Sequence, residues 1–268
     1  MSARSVLDGG ARPGHDRLVR IVAPIVVGLA GLALWQLLVG VVGVSAYLLP
    51  SPAEIASEWS ANVGPIADGT WITGSNAVLG LVVGGAVGVL LAALASRLRW
   101  FDLMLAPVVA ALAVVPIVAL APVLNSMFGA DSEFGRRAIA AIASFVPVFV
   151  NSLRGLRQTT PLQRDLMRSY AASGSQTFRV LTLPSAAPYV LTGFRVASSL
   201  AVISALVAEY FGGPRGGLGA FISTSAATSA YARAWAYVGA AILLGLALYL
   251  VTVAAERLIG RLLSGGAR

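Results

Sequence analysis

The sequence predicts an all-α polytopic membrane protein with six transmembrane helices. Three observations predict it. Hydrophobic residues make up 57% of the 268 and charged residues 11%, with a mean hydropathy of +0.83, which is membrane composition rather than that of a soluble core. Six apolar runs long enough to cross a bilayer alternate with polar or Gly/Pro-rich segments. All nineteen basic residues are arginine: fifteen fall on the side that holds both termini and the polar loop 160–184, and four (Arg136, Arg137, Arg215, Arg233) on the other. That bias predicts a cytoplasmic loop and cytoplasmic termini.

Residues 1–17 are polar, contain the single histidine (His15) and predict a disordered tail. A single transmembrane domain is expected over 18–263, with 264–268 as a second tail. The first apolar run, 18–44, ends near Val44-Ser45-Ala46, which loosely suits a signal-peptidase site. The run exceeds the roughly 7–15 residues of a signal-peptide core, which favours a retained helix. Residues 53–70, with Glu54, Glu58, Trp59 and Asp68, read as an amphipathic helix and turn at the outer surface. The second span, 72–96, carries Gly80, Gly84 and Gly88 at four-residue spacing. They predict a close helix–helix approach; generic glycine tolerance in membrane helices is the alternative.

The third span, about 103–128, holds Pro107, Pro116 and Pro122 and is predicted kinked or broken, with Pro116 and Pro122 as gate or path candidates. The fourth, about 135–153, contains Pro147 and leads into the loop. The fifth, about 189–211, ends at Glu209, either a solvated interfacial carboxylate or a gate or docking contact. A glycine-rich turn (212–219), a small polar stretch (221–231) and the sixth span, about 234–256, follow.

The loop is the most structured polar segment. Thr160, Pro161 and Gln163 predict a capping box with proline at the first helical position. Leu162, Leu166 and Tyr170 then recur at i, i+4, i+8, while Arg164, Asp165 and Arg168 leave that stripe. Gly174 is expected to stop the helix and, within a tight Ser173-Gly174-Ser175 turn, to supply the backbone bend through positive φ. A second short run, Gln176 to Leu183 with Arg179, is expected to end at Pro184, and Pro188 to open a new apolar helix. An ordinary solvated loop is the bland alternative.

Aligned on Leu183-Pro184, the segment resembles the cytoplasmic coupling loop of ATP-binding-cassette importer permeases. Asp165 falls on the family's glutamate, Leu166 and Met167 on its two alanines, and Ala171 on its glycine, while Ala172 and Ser173 match its Ala-Ser. Pro184 to Ala197 is similar to the branch importing nitrate, sulfonates, taurine and thiamine-precursor pyrimidines. Leu49-Pro-Ser-Pro52, Leu120-Ala-Pro122, Phe145-Val-Pro147, Asn151, Ala208-Glu209 and Gly217-Leu-Gly219 extend the resemblance over about 48–260. It implies a type I importer permease fold in the plasma membrane. The implied partners are a second permease copy or a homologue, a cytoplasmic ATPase dimer gripping the loop, and an external substrate-binding protein. Leu162, Asp165, Leu166, Arg168, Tyr170, Ala171, Gly174, Arg179, Leu183 and Pro184 form the implied ATPase-coupling set.

The absent residues narrow the chemistry. Without lysine the chain has no phosphate-binding P-loop of its own, so ATP and magnesium belong to the partner. With no cysteine and one histidine it lacks the usual zinc and haem ligands. The net charge of +8 reads as membrane topology rather than nucleic-acid binding. The reading is therefore a non-catalytic permease subunit without a cofactor. A secondary transporter is the rival, disfavoured because the spans hold few charges; a non-transporting scaffold is another.

Overall fold

The computed structural model describes residues 13–45, 47, 49–129, 132–212 and 216–265. Among them every regular element is helical. The expectations for 1–12, 266–268, Ala46 and the Gly213-Pro214-Arg215 part of the glycine-rich turn lie outside these residues.

Helix α1 (Pro13–Val42) begins inside the stretch expected to be disordered. None of its apolar window, Val22–Val41, is buried by the rest of the chain. Its fixed points are Trp35, edge-on to Trp235 at 5.8 Å, and Gln36, whose Oε1 accepts the Ala53 amide at 3.2 Å. Helix α2 (Pro52–Ala61) starts with a reciprocal capping box between Ser51 and Glu54. It ends at Asn62, where α3 (Val63–Arg97) starts, so the second span begins nine residues earlier than 72.

The third span is broken: α4 (Arg99–Val114) and α5 (Ile117–Phe128) meet at 97°. The cause is Pro116. Its ring pushes the preceding residue out of the helical region, and Val115 sits at φ −64°, ψ 122°. Helices α6 (Glu133–Leu156), α7 (Pro161–Ser169) and α8 (Gly174–Thr177) follow. Next come a single π turn (Phe178–Thr182) and α9 (Leu183–Tyr210), then α10 (Leu218–Ala227) and α11 (Tyr231–Gly265).

Two sequence expectations are corrected here. Pro184 and Pro188 do not separate two helices; the chain stays helical from Gly174 to Tyr210. In the π turn the Leu183 amide reaches back five residues to the Phe178 carbonyl, which resets the register. Pro184 then stands in the first turn of α9, where its missing N–H costs nothing. The small polar stretch after the glycine-rich turn is largely the helix α10.

Helices α3, α6 and α9 form the packed centre. The buried face of α3 runs Ile66, Gly69, Thr73, Asn76, Gly80, Gly84, Gly88, Ala92 and Ala95, a continuous three- and four-residue stripe. A Cβ on Gly80 would strike Ala140, and one on Gly84 would strike the Ala141 carbonyl oxygen. At Gly88 a Cβ would lie 3.1 Å from the Phe145 oxygen. The same closeness joins α6 to α9, where Gly155 faces Ala186 and Tyr189, and Gly193 faces Val148. Small residues let backbones meet, which is how helices gain packing energy where lipid supplies no hydrophobic drive.

Candidate functional sites at the two ends of the bundle

At one end the loop folds as two capped helical pieces. Thr160 Oγ1 accepts the Gln163 amide at 3.3 Å and Gln163 Oε1 accepts the Thr160 amide at 2.9 Å, with Pro161 at the first position. Helix α7 makes no apolar contact that hides its stripe: Leu162 is 79% exposed, Leu166 55% and Tyr170 75%. Beside the stripe, Arg168 pairs with Asp165 at 3.2 Å, and Arg164 Nε donates to Thr159 Oγ1 at 3.0 Å. Arg179 and Leu183 are exposed, and Pro184 is half-buried. The π turn is seated on the bundle by Arg97, whose guanidinium lies 4.9 Å from the Phe178 ring centre. Nearby, Arg157 bridges Asp102 at 2.8 Å and the Ala95 carbonyl at 3.1 Å.

The bend between the two pieces is not at Gly174. Gly174 is the first residue of α8, capped by Ser173, and its φ is not positive. The left-handed residue is Ala171, at φ 52°. Its amide bonds the Arg168 carbonyl at 2.9 Å and the Ala172 amide bonds the Met167 carbonyl at 3.0 Å, the two bonds of a Schellman cap. That cap ordinarily takes glycine, and an L-residue in the left-handed region costs about 1–2 kcal/mol. The strain therefore sits at the position that falls on the family's glycine. Ala171→Gly is expected to stabilise the loop by about 1 kcal/mol, and Ala171→Val to cost about 1–3 kcal/mol there. Hydrogen exchange of the Ala171 and Ala172 amides reports both shifts. Gly174→Val meets open space and should leave these amides unchanged.

At the opposite end, four helices converge on a buried polar cluster. Glu209, at the end of α9, is 0% exposed, which corrects the solvated-carboxylate alternative. Its Oε2 accepts from Thr73 Oγ1 at 2.7 Å and from the Gly219 amide at 3.1 Å; its Oε1 accepts from Asn76 Nδ2 at 3.4 Å. Asn76 Nδ2 also donates to Glu133 Oε2 at 2.6 Å, and Arg137 Nε donates to Asn76 Oδ1 at 3.1 Å. The buried Arg136 reaches Glu133 at 3.1 Å and the Gly216 carbonyl at 3.4 Å. A carboxylate taken out of water is tolerable when donors surround it, as they do here.

The structure does not join Pro116 and Pro122 to this cluster. Pro116 marks the α4–α5 break and Pro122 lies exposed within α5. The apolar concavity beside the break is lined instead by Leu112, Ile117, Ile139, Val146, Pro147 and Asn151.

Comparison with known proteins decides the family. Residues 84–265 match the inner membrane component of binding-protein-dependent transport systems. The chain belongs to that family. It is 32% identical over 235 residues to the riboflavin transport system permease protein of Chloroflexus aurantiacus, covering 86% of each chain. It is 30% identical over 205 residues to the formylaminopyrimidine transport permease protein of Halalkalibacterium halodurans, covering 75% of this chain and 80% of that one. Over 210 residues it is 28% identical to a putative aliphatic sulfonates transport permease protein of Bacillus subtilis, covering 76% and 74%. The protein is thus a multi-pass inner-membrane permease, and its relatives come from the branch that the loop resembles.

In this permease the polar cluster was only partly legible from sequence. Thr73, Asn76, Glu133, Arg136 and Arg137 were not singled out as site residues. The available signal was the spacing of Thr73 and Asn76, which lie on the same α3 face as Gly80, Gly84 and Gly88.

Proposed function

We propose that this permease imports a small organic solute or anion, of sulfonate, taurine or nitrate type or of pyrimidine and vitamin-precursor type. A cytoplasmic ATPase dimer powers it and an external binding protein delivers the substrate. Two permease domains, each spanning 18–263 and identical or paired with a homologue, line the path between them. The chain itself is non-catalytic and holds no cofactor; ATP and magnesium sit on the partner. Pro116 and Pro122 serve the gate through the broken α4–α5 span, and the excess of arginine on one side supports a cytoplasmic loop and cytoplasmic termini.

The observation that carries this reading is the bare apolar stripe Leu162, Leu166, Tyr170 on a well-capped helix beside arginines. Such a face on a solvated loop calls for a protein groove to cover it. The relatives' names support transport and span several cargo classes, namely riboflavin, formylaminopyrimidine and sulfonates.

The test is reconstitution of the permease with its ATPase and binding protein in lipid vesicles. ATP hydrolysis stimulated by loaded binding protein, with uptake of its ligand, is the expected result. A cysteine at Leu166 should cross-link to the ATPase in that complex. Hydrolysis indifferent to the binding protein, with no uptake, overturns the proposal.

A further inference from the structure

Two short sequence features at the outer end of the bundle, Glu209 and Gly217-Leu218-Gly219, form one interlocking unit. Helix α10 has glycine at its N-cap, and no side chain of its own caps it. Its first two amides are taken by residues of other helices: Leu218 N–H donates to Thr73 Oγ1 at 2.8 Å, and Gly219 N–H donates to Glu209 Oε2 at 3.1 Å. Thr73 Oγ1 in turn donates to Glu209 Oε2 at 2.7 Å, so α3, α9 and α10 share one hydrogen-bond chain. A negative charge at a helix N-terminus is also favoured by the helix dipole.

The glycines make this approach possible. A Cβ on Gly217, which sits at φ 93°, would run into the Glu209 carboxyl carbon, and one on Gly219 would run into the Leu206 carbonyl oxygen. Leu218 points into the core and is fully buried with Ile66, Ala236 and Tyr237. Thr224, Ala227 and Thr228 leave the other side of α10 exposed.

The second half of the geometry is α9 itself. It runs for 28 residues, from Leu183 to Tyr210, directly continuing the π turn. At 1.5 Å per residue that is about 42 Å, enough to cross the hydrocarbon core of a bilayer. One end of this rod is the π turn of the loop, and the other end is Glu209.

We propose that Glu209, with Thr73, is the positioning pair that latches α10 to the end of α9, so that force on the exposed face of α10 reaches the loop through a single helix. This rests on the transport reading above and adds a defined route from the outer face to the ATPase side. Without the latch, α10 keeps its buried Leu218 but loses its fixed angle to α9, and docking outside no longer registers inside.

The test uses the complete reconstituted complex with Glu209→Ala, Glu209→Gln and Thr73→Val. Glutamine keeps an oxygen for Thr73 and Gly219 and gives up only the 3.4 Å bond from Asn76. Valine at 73 keeps the shape and removes both bonds. Expected for Glu209→Ala and Thr73→Val is unchanged basal ATP hydrolysis with stimulation by the binding protein reduced about tenfold. Glu209→Gln should retain most of the stimulation. Equal stimulation in all variants overturns the latch. So does a proportional loss of basal and stimulated hydrolysis, or failure of both Glu209→Ala and Thr73→Val to assemble, since either assigns the pair to folding alone. An unstimulated wild-type complex fails the transport reading and not the latch geometry.

Discussion

Gly84→Val is expected to prevent the permease from assembling. At this point on α3 an added Cβ meets the Ala141 carbonyl oxygen of α6, with the Ala141 carbonyl carbon and Cα at 2.9 and 3.0 Å. All three atoms are main chain in the middle of a helix, so no rotamer change can clear them. Overpacking a well-filled interior typically costs about 1–3 kcal/mol when side chains can move, and more when the backbone must separate. Total stabilities are on the order of 5–15 kcal/mol, so opening the α3–α6 seam over several turns removes a large share. The surrounding positions calibrate the effect. Gly85→Ala meets the Phe194 ring, which can shift, and should lower the melting temperature without loss of protein. Gly64→Ala meets nothing and should be neutral, or stabilising by about 0.5–1 kcal/mol. Thermal unfolding of detergent-purified protein ranks the three. A Gly84→Val protein that purifies and melts like the wild type would remove the glycine seam as the element holding the centre together.

What could be read from the chain divides along a physical line. Periodicity and composition report one helix at a time, so the spans, the Pro116 break and the Thr160 capping box were legible. Each depends on residues within a few positions of one another. The bend at Ala171 was not, because the preference of glycine for positive φ drew the turn to Gly174. The Schellman bonds from Ala171 and Ala172 to the end of α7 set the position instead. Pro184 and Pro188 were read as boundaries because proline breaks an α ladder. A π turn that ends two residues before Pro184 changes the register, and local sequence gives no warning of it. Glu209 was left open between two readings for a third reason. A carboxylate at the end of an apolar run looks interfacial until its donors are known, and they come from Thr73, Asn76 and Gly219, of which the first two are more than 130 positions away.

The loop carries the other large effect. Replacing Leu162, Leu166 and Tyr170 together by serine should leave the permease folded and abolish its coupling. All three side chains are more than half exposed, so the fold loses no packing when they are cut. Helix α7 keeps its Thr160–Gln163 box, worth about 1 kcal/mol, and should retain its helicity. Under the proposed docking of an ATPase on this stripe, the loss falls on the partner's side. Burying an apolar side chain of this size is worth roughly 1.5–3 kcal/mol, so three of them remove at least about 4 kcal/mol, about a thousandfold in Kd. The charged neighbours cannot compensate. The Arg168–Asp165 pair is mostly solvent-exposed and contributes at most about 1 kcal/mol. Asp165→Ala alone should therefore weaken ATPase association only slightly, whereas the triple variant should lose co-purification of the ATPase and all uptake at an unchanged melting temperature. If the triple variant still retains its ATPase and transports at the normal rate, the stripe is a solvated surface, and α7 is not where the two subunits meet.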